Sequence, residues 1–276
     1  MEGIIIKNIS NDYTVLVNNK EYICKPRGKF RADHVSPLVG DKVIIDEKNC
    51  YILEILERKN SLVRPPIANI DQAVIIASIA EPDFSDNLLD KLLTTIKIKQ
   101  IKPIICFTKI DLLTEEKMLE KEKFIEYYKR IGYEVYCNND ISSFAKIFAR
   151  HTTVFTGQSG AGKSTLLNKL DQNLDLKTDE ISIALGRGKH TTRHVELLNV
   201  CGGLIADTPG FSSIDLTSFD LSEIRDSFIE FDDYKHDCKY HDCMHYKEDE
   251  CAVKKEVGNN ILVSRYENYL KFINRG

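Results

Sequence analysis

Through the middle of the chain run Thr152-Thr153-Val154-Phe155-Thr156, then Gly157-Gln158-Ser159-Gly160-Ala161-Gly162-Lys163-Ser164-Thr165, then Leu166-Leu167-Asn168. An apolar β-branched run, a glycine-rich turn and a helix-favouring run in that order read as strand, loop and helix. The turn is a full G-x-x-x-x-G-K-S match. Its glycines let successive backbone N–H groups wrap a phosphate chain, and the helix that follows adds its positive N-terminal end. Lys163 is expected to reach the β- and γ-phosphates, and the Ser164 hydroxyl to ligate Mg²⁺. The alternative is a chance match in a turn, which the strand before and the helix after argue against. Gly157–Thr165 is therefore the candidate phosphate site.

Working outward, residues from Pro65 to Ser218 alternate apolar strands with helical patterns. The strand candidates are Ala73–Ile79, Pro103–Phe107, Tyr133–Tyr136, Thr152–Thr156, Val195–Leu198 and Leu204–Ala206. Asn87–Lys99 and Glu115–Ile131 read as amphipathic helices between them. Strands alternating with helices of that length predict a doubly wound α/β sheet. Thr108-Lys109-Ile110-Asp111 closes the second of these strands and looks like the N/T-K-x-D base-recognition motif. The Asp111 carboxylate can accept from both guanine N1–H and N2–H₂, a pattern adenine does not offer, while the Lys109 stem lies along the base. Thr108 stands where Asn is more usual. Downstream, Asp207-Thr208-Pro209-Gly210 places an acid for Mg²⁺ and the Gly210 amide for the γ-phosphate. Phe211 follows, where a water-orienting Gln would stand, so the catalytic group must come from elsewhere. Gly186-Arg187-Gly188-Lys189-His190-Thr191-Thr192-Arg193 lies between the two. Thr191 and Thr192 are candidates for a nucleotide contact, Thr192 for Mg²⁺, and His190 is a candidate to orient water beside Lys163; an inert loop histidine is the plainer reading. The base motif thus precedes the phosphate loop, the reverse of the usual order, which a rotated chain explains.

The first 64 residues read as five short strands, Gly3–Ile9, Tyr13–Val17, Glu21–Cys24, Lys42–Asp46 and Tyr51–Ile55, separated by turn residues. Five strands in so small a unit suggest an OB barrel. Lys20, Lys25, Arg27, Lys29 and Arg31 crowd together against the single acid Glu21, with Tyr22 and Phe30 as the few aromatic stacking partners. On a barrel this reads as an RNA-contacting surface, and otherwise as a solvated basic loop. The net charge of −4 gives no global case for nucleic-acid binding, so any such role is local.

Five of the eight cysteines are scattered, several in apolar runs. Cys238, Cys243 and Cys251 instead share a short acidic stretch with His245 at spacing C-x4-C-x-H-x5-C. Three thiolates and an imidazole suit one closed, structural, tetrahedral Zn²⁺ site; His241 is a competing ligand. In Asn259–Asn274, the residues Leu262, Tyr266, Tyr269, Leu270 and Ile273 repeat at helical spacing. The early residues are too short and too soon polar for a secretory signal, and no apolar run approaches bilayer-spanning length, so a cytoplasmic protein is expected.

In this order, the basic OB-like start, T-K-I-D, G-Q-S-G-A-G-K-S-T, G-R-G-K-H-T-T-R, D-T-P-G-F and C-x4-C-x-H-x5-C resemble the ribosome small subunit-dependent GTPase A (RsgA) family over essentially all 276 residues. The resemblance implies a multidomain α/β protein: an OB barrel at 1–64, a circularly permuted P-loop GTPase domain at 65–218, and a zinc-binding helical domain at 219–276. It implies GTP/GDP at Thr108–Asp111 and Gly157–Thr165, zinc at Cys238, Cys243, His245 and Cys251, and His190 as the favoured catalytic group. It further implies stimulation by the small ribosomal subunit, action late in that subunit's maturation, and contact with its rRNA, with the protein a monomer away from any membrane. One departure is plain. Cys137-Asn138-Asn139-Asp140-Ile141-Ser142-Ser143 carries no Ser-Ala-Lys-like base-supporting motif, which implies modest nucleotide affinity. Two other readings stay open at this stage: an RNA-docking switch with negligible hydrolysis, and a P-loop ATPase or small-molecule kinase.

Overall fold

The computed structural model describes residues 1–28, 30, 35–63, 65–171, 195–207 and 215–274, without the side chains of residues 120 and 207. Five strands, β1 (Glu2–Ile9), β2 (Asp12–Val17), β3 (Lys20–Pro26), β4 (Lys42–Asp46) and β5 (Tyr51–Ile55), close into a barrel of order β1-β2-β3-β5-β4. Alternation closes it: Tyr13, Val15 and Val17 turn inward while their neighbours stay wetter. The barrel is the expected OB type. Asn18-Asn19 and Ser10-Asn11, all in the left-handed region, make its tight hairpin turns. A small hairpin, β6 (Ser61–Leu62) with β7 (Ile67–Ala68), straddles residues 64 and 65 and was not anticipated.

The second unit is a six-stranded sheet of order β10-β9-β8-β11-β13-β12. Its strands are β8 (Gln72–Ser78), β9 (Lys102–Thr108), β10 (Glu134–Cys137), β11 (Thr152–Gly157), β12 (Leu198–Val200) and β13 (Gly203–Asp207). All pair in parallel except β12, which runs antiparallel to β13. β8 is buried along its whole length, as a strand covered on both faces must be. Helices α1 (Asp86–Ile98) and α2 (Glu115–Arg130) cover one face, over Ile75, Ala77, Ile105 and Val154. Helices α3 (Ile141–Ala145) and α4 (Lys163–Leu170) cover the other, with Phe144, Leu166 and Leu167 against Ile76, Cys106 and Phe155. The doubly wound expectation holds. Val195–Leu198 was expected as a strand, but β12 occupies Leu198–Val200, because the Cys201-Gly202 turn, left-handed at both residues, sets the register against β13.

The last unit packs α5 (Leu221–Asp226), α6 (Ala252–Lys255) and α7 (Val263–Ile273) around Phe228, Phe231, Tyr269 and Phe272. The final helix starts at Val263 rather than Asn259, since the Gly258 turn, at φ 88°, breaks the chain there. The expected stripe of Leu262, Tyr266, Tyr269, Leu270 and Ile273 packs against the core, but it is not the whole buried face. Arg265, Asn268, Tyr269, Phe272 and Ile273 are buried, so two polar side chains lie inside.

Candidate nucleotide and metal sites

The chain runs β8, β9 and β10 to one side, then returns to lay β11 on the other side of β8. That reversal is the topological switch point, where α/β sheets hold ligands at the carboxyl ends of their strands. Gly157 ends β11 at this position, paired with Ile76. It adopts φ 138°, and a Cβ placed on it would meet the Ile76 carbonyl oxygen at 2.1 Å. Only glycine fits. Gly160 and Gly162 are also left-handed, at φ 78° and 93°. Gly162 is the N-cap of α4 and makes no side-chain cap hydrogen bond, so the positive N-terminal end of the helix faces the loop where an anion would sit. The Lys163 ammonium folds back over the loop to the carbonyls of Gly157 (3.2 Å) and Gln158 (3.4 Å). Ser159, Gly160 and Thr165 are exposed, Gln158 and Ser164 half-buried, and Ala161 is buried beneath them.

The T-K-I-D residues lie beside this loop. Thr108 is 3% exposed, and its hydroxyl donates to the Ala161 carbonyl at 2.5 Å. The threonine thus ties the base motif to the phosphate loop, a job its short side chain performs without an amide. Lys109 is left-handed at φ 60°, which turns the chain so that Ile110 and the exposed Asp111 form a 3-10 turn at the carboxyl end of β9. The Cys137–Asp140 loop follows β10 alongside β9, so it sits next to this motif. There the Asn138 amide is already given to the Phe107 carbonyl at 3.0 Å. Asp140 is committed to capping α3, and hydrogen bonds from Ser143 hold its carboxyl below the usual range.

The backbone of β13 carries Asp207 to the same carboxyl end, its register pairing Asp207 with Phe155 of β11. Thr208, Pro209, Gly210 and Phe211 lie outside the described residues, as do His190, Thr191 and Thr192 with the whole of 186–193. In the barrel, Lys20, Lys25 and Arg27 are exposed, while Lys29 and Arg31 fall outside the described residues. The stacking expectation needs correcting. Phe30 is 7% exposed and belongs to the barrel core. Tyr22 already carries the Lys20 ammonium over its ring at 4.8 Å and donates its hydroxyl to Glu47.

Cys238, Cys243, His245 and Cys251 converge, with ligand atoms all within 4.8 Å of one another. Tetrahedral zinc, at about 2.3 Å to sulfur and about 2.0 Å to nitrogen, needs S···S edges of about 3.8 Å and S···N edges of about 3.6 Å. Cys238 and Cys251 sulfurs are 3.8 Å apart, and His245 Nδ1 lies 3.6 Å from Cys238 and 3.3 Å from Cys251. The donor set therefore fits zinc. Burial pushes the Cys243 thiol up to about 12 and the His245 imidazole down to about 4, so a cation is what would favour the thiolates here. The ligand loop is held from outside. Glu248 accepts the amides of Met244 and Tyr246 at 2.9 Å each, and the Tyr266 hydroxyl donates to the His245 carbonyl at 2.7 Å. His241 is exposed and outside the cluster.

Hydropathy missed one buried assembly. Arg265 of α7 reaches Asp90 of α1 and Glu230, joined by Tyr128, Tyr133 and Asn268. It fastens the unit that carries the Cys/His cluster to the helices of the sheet. A charged residue at a core position of each helix was the available signal.

Comparison with known proteins agrees with this geometry. The profile of the RsgA GTPase family matches residues 55–217, and that of the RsgA N-terminal domain matches residues 2–51. The small ribosomal subunit biogenesis GTPase RsgA 2 of Oceanobacillus iheyensis is 49% identical, covering 99% of this chain and 96% of that protein. The Enterococcus faecalis small ribosomal subunit biogenesis GTPase RsgA is 46% identical, with 99% and 94% covered. Among solved structures, the circularly permuted GTPase YloQ superposes with a TM-score of 0.84 at 39% identity, covering 99% of this chain and 94% of that one.

Proposed function

The chain belongs to the RsgA family of circularly permuted GTPases, and from that premise we propose how its residues divide the work of a GTPase of small ribosomal subunit biogenesis. The enzyme hydrolyses GTP. Lys163 and the amides of Gly157–Thr165 hold the β- and γ-phosphates, and Asp111 with Lys109 and Ile110 reads guanine. Ser164, Thr192 and Asp207 would hold Mg²⁺, which would supply charge neutralisation at the phosphates. Thr191 and the Gly210 amide complete the nucleotide contacts, and His190 orients the attacking water in place of the side chain that Phe211 lacks. One zinc at Cys238, Cys243, His245 and Cys251 is structural, because all four positions are protein ligands and none is left open for substrate. Lys20, Lys25 and Arg27 on the barrel meet rRNA phosphates of the small subunit, which stimulates hydrolysis late in its maturation. The protein works as a cytoplasmic monomer. Among the described residues no helix is long and apolar enough to cross a membrane.

The observation that carries the guanine assignment is the Thr108–Ala161 hydrogen bond, which locks a base motif against a phosphate loop. The test is GTP hydrolysis with and without purified small subunits, with ATP as competitor. Strong stimulation by subunits and no competition by ATP are expected. Unstimulated turnover would overturn the partner, and displacement of GDP by ATP would overturn the base.

A further inference from the structure

β1 carries an irregularity between Ile5 and Lys7, where its register against β2 slips. Bulges of this kind release a residue from the ladder and re-aim the neighbouring side chain. Here the Ile6 carbonyl accepts the Leu197 amide at 2.8 Å. Lys7 forms an antiparallel bridge with Glu196, and its ammonium reaches the Glu196 carboxylate at 2.9 Å. Val195 and Leu197, 6% and 3% exposed, bury into the same core as Ile5 and Ile6. The segment therefore has two allegiances. Residues 195–197 pair with the barrel, and Leu198–Val200 at once becomes the edge strand on β13, which ends at Asp207. Upstream, Glu196 stands three residues after Arg193, the end of the threonine-bearing motif.

We propose that Lys7 and Glu196 are positioning residues through which the RNA-bound barrel sets the nucleotide site, a role that rests on the function proposed above. β1 is hydrogen-bonded to β2, and β2 to β3, the strand bearing Lys20 and Lys25. A barrel clamped on rRNA carries β1 with it, and the Ile6–Leu197 and Lys7–Glu196 contacts carry the 195–200 backbone. Downstream, that backbone passes through β12 onto β13, which ends at Asp207, and in sequence it follows directly on the threonine-bearing motif. The ion pair fixes the register, because a one-residue slip would turn Glu196 to the opposite face.

The experiment measures basal and subunit-stimulated GTP hydrolysis, with GDP affinity, for the full chain and for Glu196→Lys, Lys7→Glu, Glu196→Gln and Lys7→Glu/Glu196→Lys. Basal rate and GDP affinity are expected to stay within about two-fold, as befits side chains remote from the nucleotide. Stimulation should fall at least about five-fold in each charge reversal, the lower end of ordinary inter-site coupling. It should fall less in Glu196→Gln and return in the double swap. Full stimulation of either reversal would overturn the proposal. So would loss of basal activity together with stimulation, or a double swap that fails to recover, since either marks a merely structural contact. A wild-type chain that subunits do not stimulate would refute the proposed partner instead, and that arm is read first.

Discussion

Replacing Arg265 with methionine probes how the zinc-bearing unit is held to the nucleotide sheet. The Arg265 side chain is 2% exposed, and its guanidinium lies 5.4 Å, 5.7 Å and 4.6 Å from the rings of Tyr128, Tyr133 and Phe228. Methionine keeps the packing of the stem but leaves two buried carboxylates without their cation. They are not equally exposed to the loss. Asp90 retains the Tyr128 hydroxyl and the Asn268 amide, both at 2.8 Å. Glu230 retains a 3.4 Å bond from Tyr127. Removing one partner of a buried ion pair costs about 3–5 kcal/mol, and two anions around one cation place this variant in the upper part of that range. At about 2–4 °C per kcal/mol, melting should fall by about 8–20 °C. Urea unfolding followed by circular dichroism should show the midpoint drop with an unchanged slope. Adding Glu230→Gln should recover more than half of the loss, and adding Asp90→Asn less. A cost below about 1 kcal/mol, the worth of a surface pair, or the reverse ranking of the double variants, would refute the reasoning.

Thr108→Val removes the donor to Ala161, a net loss of about 0.5–1.5 kcal/mol; GDP binding by fluorescence titration should weaken by about 2–12-fold, and unchanged affinity would dismiss the tether. Gly157→Ala drives a methyl group into the Ile76 carbonyl at a φ that L-residues avoid, so nucleotide binding should vanish in the same titration. Chelation of zinc, or Cys243→Ser, should melt the helices around Phe231 and Tyr269 while GDP binding persists, read by metal content and tryptic digestion. Acid should mimic this. Burial holds the His245 imidazole of the zinc-free chain down at about 4, below the ordinary 6.5, so its contribution to folding is present above pH 6.5 and is lost as pH drops toward 4. A zinc-free chain whose melting temperature does not change with pH across that window would contradict the burial of His245.

Most of the nucleotide site was legible as sequence because its parts are local. Gly157 occupies a cramped position that admits glycine alone, Gly160 and Gly162 adopt the left-handed backbone that glycine favours, and Lys163 follows at a fixed spacing. The candidate zinc ligands fall within fourteen residues, so chain geometry alone brings them near one another. The strands announced themselves by alternation or by continuous apolar runs. The reversed motif order was equally visible, and the sheet order agrees with it. The failures share a cause. Phe30 looked available for stacking because hydropathy does not report which way a loop aromatic turns, and Tyr22 because nothing local signals Lys20 above its ring or Glu47 at its hydroxyl. Nothing local to Arg265, Asp90 or Glu230 marks them as buried partners of one another. Each meets its partners across 35 or 175 residues of chain. Lys7 and Glu196, separated by 189 residues, were invisible for the same reason. Backbone conformations and short ligand spacings are set by covalent geometry, and the sequence by itself determined those. Which buried charges pair, and how the barrel and the zinc-bearing unit are joined to the sheet, depends on desolvation and packing between distant segments, and only the tertiary structure decided that.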